Sequence, residues 1–509
     1  MNQLSKKLIP SLSARSDLSV PDASLFDLPE KVLQFGTGVL LRGLPDYFID
    51  KANRQGIFNG RIVVVKSTDS GESAAFDEQD GLYTLCVRGI ENGQPTEETI
   101  VCSAISRVLS AKSEWQTILD LAHNPNLEII ISNTTEVGIQ LLQDDITDNP
   151  PVSFPGKLLA FLFARYKAFG GSEDSGLVIV PTELIPDNGS KLEAIVIELA
   201  HRNGLETDFL DWLESANSFC NSLVDRIVPG KPEPAVYQQL AQQLGYTDRL
   251  LTMSEVFRLW AIEGNQHVRQ VLSFQQADEG IFIESDINVF RELKLRLLNG
   301  THTLSCGLAF LAGFDTVKEA MSDENMANFI QHLMLTDIGP AIPYPVEVER
   351  VQTFGYQVMD RFRNPSLNHQ WLSITLNYTS KMKMRNRPTL LHHYQHNTEV
   401  PEYMALGFAA YLLFMRPIAK ESYVFFGERN GVPYPIQDEK AEYFFEKWKQ
   451  HTPAQLVQIV LQDINIWETD LTLLTGFAQR VTNNLQNMLE QGVSESLETF
   501  FSKSILIEK

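Results

Sequence analysis

The fold is decided by residues 31–54, KVLQFGTGVLLRGLPDYFIDKANR, in which a short apolar run precedes two glycines and a helical pattern. Residues 31–35 predict a buried strand, the next three residues a tight turn, and the remainder a helix. This order is typical of the opening of a dinucleotide-binding βαβ unit, in which glycines let the backbone approach a pyrophosphate at the helix N-terminus. The candidate cofactor-binding residues here are Phe35, Gly36, Thr37, Gly38 and Arg42.

The glycine pattern departs from the usual fingerprint. Position 41, where a third glycine is expected, is Leu41, and Gly43 follows two residues later behind Arg42. An ordinary tight strand-to-helix turn without a cofactor therefore stays an alternative interpretation.

Three further apolar runs predict strands of the same parallel sheet: RIVVV at 61–65, LEIIIS at 127–132 and LVIV at 177–180. Open α/β sheets bind ligands at the carboxyl ends of their strands. Asp69 follows the second strand, and Asn133 and Thr134 follow the third, so they join the candidate cofactor site. An acid after the second strand favours NAD, whereas Lys66 leaves NADP open. Asn133 and Thr134 are equally well explained as caps of the next helix.

The character of the chain changes at about residue 284, where strand signals fade and helical periodicity dominates. We predict an α/β Rossmann-type N-terminal domain at residues 1–283, followed by a mainly α-helical C-terminal domain at residues 284–509. Residues 1–30 are expected to form a loosely structured lead-in. A hairpin insertion is expected from strands at 82–87 and 99–104 around a polar turn at 91–98.

Composition narrows the classes of partner. The formal charge of −22 argues against a nucleic-acid binder or an anionic-membrane binder, but not against a small anionic substrate. The 4 cysteines lie far apart without metal-ligand spacing, so we expect no metal site. No signal-peptide core and no membrane-length apolar window are found, and a reducing cytoplasm is the expected compartment.

The predicted helical domain begins with residues 291–302, RELKLRLLNGTH, an amphipathic pattern. On an α-helix Asn299 lies roughly 140° and His302 roughly 80° around the axis from Lys294, so the three fit on one broad face. An amine can exchange a proton, an amide can hold an oxygen and an imidazole can do either, which suits alcohol–ketone chemistry. A helix with a solvated lysine and a core histidine stays the alternative.

Charged residues elsewhere form two further candidate groups. Asp225 and Arg226 lie among apolar neighbours, either as a structural ion pair or as part of a site. Arg361, His369 and the run KMKMRNR at 381–387 are candidates for holding a substrate carboxylate, chiefly through Lys381 and Arg385. For Lys383 and Arg387 a solvated cationic face is the favoured alternative.

Together these stretches resemble the long-chain polyol dehydrogenases, also called the mannitol dehydrogenase family. The decisive pattern is K-x4-N-x2-H at Lys294, Asn299 and His302. The FGTG turn at 35–38 and SLVDRIV at 222–228 support it. Within the family the chain most resembles the uronate-reducing members, through DGLYTLCVRG at 80–89, SNTTEVGI at 132–139, AGFDTVKEAM at 312–321 and RFRNP at 361–365.

The resemblance implies hydride transfer with NAD and without zinc, in a cleft between the two domains, with Lys294 as general acid/base and Asn299 and His302 orienting the reacting oxygen. The implied reaction is the reversible reduction of the keto-uronate tagaturonate to the aldonate altronate. Fructuronate reduction and a non-catalytic nucleotide-binding relative are the alternatives. Where mannitol-type members carry an acid followed by Asn, this chain has Glu183-Leu184, which disfavours simple polyols. The implied substrate-binding residues are Asp225, Arg361, His369, Lys381 and Arg385, and neither the oligomeric state nor the substrate stereochemistry follows from the sequence.

Overall fold

The computed structural model describes residues 1–67, 73–134 and 138–504. The chain folds into two compact units. The first contains residues 1–89 and 95–287, and the second contains residues 90–94 and 288–509. Within the described ranges, no helix is long and apolar enough to cross a membrane.

The first unit is built on a six-stranded sheet in which all neighbouring strands are parallel. Numbered along the chain, its strands lie in the order 3-2-1-4-5-6, which is the strand order of dinucleotide-binding α/β sheets. The predicted Rossmann-type fold is therefore confirmed. In spatial order the strands are Ile105–Ser110, Arg61–Lys66, Glu30–Phe35, Ile129–Ser132, Val178–Pro181 and Ser218–Phe219.

Both faces of this sheet are buried, which explains why its strands are apolar at consecutive positions. Val64 belongs to the core on one face and Val63 and Val65 to the core on the other. Helix Pro45–Arg54 packs into the first core, and helices Phe154–Ala168 and Asn188–Arg202 pack into the second. Such two-sided burial is characteristic of parallel sheets covered by crossover helices.

The remaining elements of the first unit surround this sheet. Its other helices are Ile9–Leu12, Val39–Gly43, Ser73–Glu78, Trp115–Asp120, Thr207–Ala216, Pro234–Leu244 and Gln266–Val271. Its other strands, apart from the hairpin described next, are Asn2–Gln3, Ser222–Asp225, Tyr246–Thr247, Thr252–Glu255, Leu259–Glu263 and Ile281–Glu284.

The hairpin differs in its bounds from the sequence-based expectation. The hairpin strands are Tyr83–Glu91 and Gln94–Cys102, so the turn is Asn92-Gly93 and not the eight-residue loop at 91–98. Both turn residues have positive φ, 53° and 73°, a conformation that an Asn-Gly pair adopts at little cost and that suits a tight hairpin.

The expected loose lead-in is wrong. Asn2–Gln3 pairs in parallel with Tyr246–Thr247, and Leu4, Leu12 and Leu18 are buried in a core of their own. The apolar side chains of the first 18 residues cover a surface that the rest of the unit leaves apolar.

The second unit is mainly helical, as predicted. Its helices are Asn288–Leu293, Lys294–Gly300, Thr301–Leu311, Val317–Ala320, Glu324–His332, Leu333–Ile338, Val348–Arg363, Trp371–Ile374, Tyr378–Lys381, Met382–Asn386, Arg387–His396, Glu402–Phe414, Ala441–Gln450, Pro453–Gln462, Ile464–Trp467, Phe477–Gln491 and Val493–Ser504. Segments Lys294–Gly300, Leu333–Ile338 and Met382–Asn386 are π-helical turns.

This unit also contains a small antiparallel sheet that was not predicted from the sequence. Its strands are Ala419–Glu421, Val424–Arg429 and Val432–Ile436. The dipeptide Asn430-Gly431, with positive φ at both residues, forms the second turn and was the available signal.

Candidate active site

In the first unit, the candidate cofactor edge lies where strands Glu30–Phe35 and Ile129–Ser132 end side by side. Gly36 follows the first strand with φ of +130°, and a Cβ atom on it would lie 2.8 Å from the Asn133 carbonyl oxygen. Only glycine lets the chain pass here. Gly38 has open space around its Cβ position, and helix Val39–Gly43 begins directly after it. Backbone N–H groups at a helix start lack intrahelical partners and suit an anion.

Asn133 and Thr134 are held in place by the neighbouring strand end. The Asn133 amide donates to the carbonyl and hydroxyl oxygens of Thr182 at 3.1 and 3.0 Å. Thr134 donates from its backbone N–H and its hydroxyl to Glu183 Oε1 at 2.8 and 2.9 Å. Glu183, the acid that precedes the departing residue Leu184, thus shapes this loop. The predicted residue Asp69 lies outside the described residues.

Two arginines of the first unit brace its backbone. Arg42 is 8% exposed and donates to the Thr37 carbonyl at 3.0 Å and to the Thr252 hydroxyl at 3.2 Å, which holds the glycine turn. Arg226 donates to the Gly43 and Glu255 carbonyls at 2.5 and 3.0 Å. Burial lowers the pKa of Arg226 to about 10.

Asp225, the carboxylate beside Arg226 in the chain, is the last residue of strand Ser222–Asp225 and is buried. Its partner strand is Leu259–Glu263, which runs antiparallel to it. The predicted substrate ligand of the first unit therefore lies at the end of a strand in a small sheet, apart from the six-stranded one.

In the second unit, Lys294, Asn299 and His302 lie on one continuous helical segment, Asn288–Leu293 to Thr301–Leu311, with a π-helical turn at Lys294–Gly300. At roughly 80° per residue in such a wider turn, Lys294 and Asn299 lie about 40° apart around the axis and not 140°. All three side chains then share an arc of roughly 80°. The π-helical turn, which sequence periodicity did not reveal, narrows the face on which they stand.

This turn is joined to another π-helical turn, Met382–Asn386. A side chain from each turn donates hydrogen bonds to backbone carbonyls of the other. Arg296 Nη1 donates to the carbonyls of Met384 and Arg385 at 2.9 and 2.7 Å. In return the Asn386 amide donates to the Gly300 carbonyl at 3.0 Å. Arg296 and Asn386 are 6% and 1% exposed. Neither residue was predicted from the sequence, because each bonds to a carbonyl more than 80 positions away in the chain.

The ring of His302 packs among three aromatic side chains of the second unit. Its ring stacks on Phe362 with centroids 4.1 Å apart and meets the edges of His369 and Trp371 at 5.1 and 5.9 Å. Burial lowers its pKa well below the ordinary value, and the nearby charges of His369, Arg361, Arg385 and Lys381 lower it further. The imidazole is therefore neutral at physiological pH. Its Nε2 atom is buried and has no hydrogen-bond partner among the residues that the structure describes.

The four cations at 381–387 divide between two faces. Lys381 donates to the Ile374 carbonyl at 2.9 Å, and Arg385 donates to the Thr303 hydroxyl at 3.0 Å, on the side of His302. Burial lowers the pKa of both groups. Lys383 and Arg387 instead pair with Glu468 at 2.7 and 2.5 Å. The simple solvated face considered for those two residues is therefore an ion-pair cluster.

Across the described part of the chain, no group of three or more His, Cys, Asp or Glu side chains is placed to hold a metal ion. All four cysteines are buried free thiols.

Two family models match the chain over most of its length. The model described as mannitol dehydrogenase Rossmann domain matches residues 30–276, and the model described as mannitol dehydrogenase C-terminal domain matches residues 286–489. The chain belongs to the mannitol dehydrogenase family. The resemblance drawn from the K-x4-N-x2-H pattern is thus confirmed.

Curated relatives extend this result. Altronate oxidoreductase of Halalkalibacterium halodurans is 37% identical over 480 residues, covering 92% of this chain and 93% of that protein. Altronate oxidoreductase of Escherichia coli K12 is 37% identical over 478 residues, covering 92% and 96%. The narrower resemblance to uronate-reducing members agrees with these matches.

Solved structures show the same fold. Pseudomonas fluorescens mannitol 2-dehydrogenase, in a ternary complex with NAD and D-mannitol, superposes with a TM-score of 0.64 at 23% identity, covering 98% of this chain and all of the other. A D-sorbitol dehydrogenase in substrate-free form superposes with a TM-score of 0.74 at 19% identity, covering 97% of this chain and all of the other.

Proposed function

We propose that this protein is an NAD-dependent oxidoreductase that reversibly reduces tagaturonate to altronate in the cytoplasm. The proposal rests chiefly on one observation: His302 is buried with an unpartnered Nε2 atom, and the charges of Arg361, Arg385 and Lys381 act on it. It is supported by the 37% identity to altronate oxidoreductases over nearly the whole chain.

The cations indicate a substrate that carries a negative charge. A neutral polyol needs hydroxyl-binding groups, but it cannot compensate the free-energy cost of burying several positive charges. A carboxylate can compensate this cost, because charge-assisted hydrogen bonds from guanidinium and ammonium groups are about twice as strong as neutral ones. We assign Arg361, Lys381 and Arg385 to the substrate carboxylate, with His369 beside them. Asp225 in the first unit is the proposed ligand of a substrate hydroxyl.

The residues of the first unit fit NAD. The strand order places Gly36 and Asn133 at the point where the sheet reverses direction, which is where such sheets bind dinucleotides. Gly36 passes so close to the Asn133 carbonyl that a Cβ atom would clash with it, and Gly38 has open space around its Cβ position. Phe35, Thr37, Thr134 and Asp69 complete the proposed set, and Arg42 holds the glycine turn whose backbone would bind the pyrophosphate. When bound, the reduced nicotinamide supplies a hydride.

The protein itself supplies the proton and the charge stabilisation. The ammonium group of Lys294 gives its proton to the carbonyl oxygen in reduction and takes it back in oxidation. Asn299 donates a hydrogen bond to the same oxygen, whose negative charge is greatest in the transition state. Neutral His302 uses Nε2 to orient that oxygen or the neighbouring hydroxyl, because a neutral imidazole can donate from one nitrogen and accept at the other. Their shared arc of roughly 80° would let all three side chains reach one oxygen atom.

The decisive experiment is NADH oxidation by the purified protein with tagaturonate, fructuronate and fructose in parallel. We expect tagaturonate to give the highest kcat/KM and fructose the lowest. Preference for fructuronate would keep the mechanism and change the substrate stereochemistry, which the cations do not distinguish. Fructose as the best substrate would remove the carboxylate assignment. Faster turnover with NADPH would overturn the cofactor preference.

A non-catalytic nucleotide-binding protein is the second candidate, because the family fold alone does not require turnover. The same assay separates it from the enzyme when NADH binding is titrated by fluorescence. Binding of NADH without oxidation by any of the three ketones would support the binding protein.

A further inference from the structure

A buried carboxyl group is connected to the glycine turn of the first unit. Asp46, in the first turn of helix Pro45–Arg54, is 0% exposed, and Gln34, in strand Glu30–Phe35, is 1% exposed. Gln34 Nε2 donates to Asp46 Oδ2 at 3.4 Å and to the carbonyl oxygen of Gly36 at 3.5 Å. One side chain therefore links the carboxyl group to the backbone of the turn. Neither Asp46 nor Gln34 is among the site residues assigned above.

Two oxygen atoms of this pair of side chains lack a donor. Asp46 Oδ1 and Gln34 Oε1 are both buried and have no hydrogen-bond partner among the residues that the structure describes. Both atoms are acceptors, so they can bond to each other only through an added proton. A carboxylate has no donor, whereas a protonated carboxyl group has one O–H. A proton on Asp46 Oδ1 can therefore satisfy both atoms, and buried polar groups without partners are rare.

The surroundings of Asp46 favour the neutral acid. Burial raises its pKa to about 8, although the hydrogen bond from Gln34 and the charge of Arg42 act in the opposite direction. Tyr83 and Cys102, on the two hairpin strands, interact electrostatically with Asp46. Burial raises the pKa of both groups well above the ordinary values, so they are neutral at physiological pH.

We propose that Asp46 is protonated in the folded protein and forms a cyclic pair of hydrogen bonds with Gln34, which positions the glycine turn for the dinucleotide. In this pair Gln34 Nε2 donates to Asp46 Oδ2, and Asp46 Oδ1–H donates to Gln34 Oε1. The second hydrogen of Gln34 Nε2 serves the Gly36 carbonyl. Loss of the proton to solvent breaks one bond of the pair and leaves a buried negative charge connected to the turn. Binding of the anionic pyrophosphate should then weaken, a step that rests on the NAD site proposed above.

The protonation state is tested on the protein without cofactor. Asp46→Asn replaces the acid O–H by an amide N–H of similar size, so both bonds of the pair persist and the group cannot ionise. A carboxyl group whose pKa is raised on folding contributes stability that is complete below its unfolded pKa of about 3.9. This stability is lost as the pH rises to the folded pKa of about 8. We therefore expect the Tm of Asp46→Asn minus that of wild type to increase from about pH 5 to pH 8 and then to level off. A constant Tm difference over this range would overturn the proposal.

Fluorescence titration with NADH at pH 7 and pH 9 tests the effect on the cofactor. If only the protonated form binds, the wild-type Kd rises about tenfold between these pH values, because roughly nine-tenths of Asp46 is ionised at the higher one. The Kd of Asp46→Asn should be the same at both. A wild-type Kd that does not change with pH, or a Kd of Asp46→Asn that rises as in the wild type, would overturn the proposal.

Asp50→Asn is the matched control. Asp50 lies one turn further along the same helix and is 1% exposed, but its oxygen atoms accept hydrogen bonds from Arg54 at 2.6 Å and from Ser103 at 2.6 and 3.0 Å. Its substitution should lower the Tm at both pH values and keep the wild-type pH dependence of the NADH Kd.

Gln34→Met removes both bonds of the pair at similar side-chain length and tests the proposal even if Asp46→Asn does not fold. It should raise the NADH Kd about tenfold already at pH 7, since about 1 kcal/mol is lost with a hydrogen bond. An unchanged Kd in this variant would overturn the proposal. The reaction proposed above fails separately: keto-uronates that are not reduced leave the expected pH dependence of the Tm difference intact.

Discussion

The two units present their candidate ligand sites by different physical means. In the first unit the backbone forms the site: a Cβ atom on Gly36 would lie 2.8 Å from the Asn133 carbonyl oxygen, and a helix begins three residues later at Val39. In the second unit, side chains from distant segments converge on His302 and are braced by Arg296 and Asn386. The first site should therefore be sensitive to added atoms, and the second to changed chemistry and to loss of its braces.

Lys294→Ala should give the largest effect. Removing a general acid costs about 10²–10⁴-fold in rate, so we expect kcat for keto-uronate reduction to fall by about 1,000-fold. NADH binding and the Tm should stay near wild type, because the candidate cofactor residues belong to the first unit. Steady-state kinetics and NADH fluorescence titration measure both. Lys383→Ala, which removes a cation paired with Glu468, is the control and should keep most of the activity. Near-normal turnover of Lys294→Ala would rule out the proton-transfer role.

Arg296→Lys tests whether the joined π-helical turns orient the proton-transfer face. A lysine cannot donate to both the Met384 and Arg385 carbonyls in the arginine geometry. Displacement of reacting groups by about 1 Å costs roughly 100-fold in rate, and we expect kcat to fall by about that factor at constant NADH affinity.

Arg165→Lys is the matched control for that variant. Arg165 is likewise buried, at 2% exposed, and donates to the Ser175, Asn124 and Leu127 carbonyls, but it lies in the first unit. Its loss should lower the Tm and leave the kcat of the folded enzyme unchanged. If both variants show a lowered Tm and an unchanged kcat, Arg296 stabilises the fold and does not orient the proton-transfer residues.

Gly36→Ala tests the backbone site by adding one carbon. The Cβ atom would meet the Asn133 carbonyl at 2.8 Å, and φ of +130° is strained for alanine. We expect NADH affinity to fall between about ten- and 100-fold, with a lower Tm, since such strain costs about 1–3 kcal/mol. Gly38→Ala has open space and negative φ, so its Tm should match wild type. A loss of NADH affinity in Gly38→Ala at unchanged Tm would show that the cofactor passes over Gly38.

The first unit was more predictable than the second, and the reason is physical. Runs such as RIVVV at 61–65 predict buried parallel strands because both of their faces must be apolar, and the glycine turn lies next to the strand it follows. Tight turns are local too, so the Asn-Gly pair at 92–93 could have located the first hairpin more closely, and the pair at 430–431 could have revealed the second. Residues 1–18 pack against a distant part of the chain, and no periodic pattern of apolar residues indicates this contact.

The candidate site of the second unit depends on contacts between residues that lie far apart in the chain. Helical spacing placed Lys294, Asn299 and His302 on one face, but the π-helical turn that draws them together has no distinct composition. The four cations at 381–387 could not be divided between His302 and Glu468 from the sequence, because Glu468 lies more than 80 residues away. Arg296 and Asn386 likewise acquire their meaning only when two distant turns meet.

The smallest predicted effect concerns that division of the cations. Lys381 stands on the side of His302, so Lys381→Met should raise the KM for tagaturonate about tenfold, since a charge-assisted hydrogen bond to the carboxylate is lost. The KM for fructose, which has no carboxylate, should change little. Lys383→Met removes the same charge from the Glu468 side of the run and should leave both KM values near wild type. The ratio of the two KM values in each variant therefore reports on the carboxylate and not on the net charge of the protein. Equal KM increases in the two variants would mean that only the overall field matters, and the assignment of Lys381 would have to be given up.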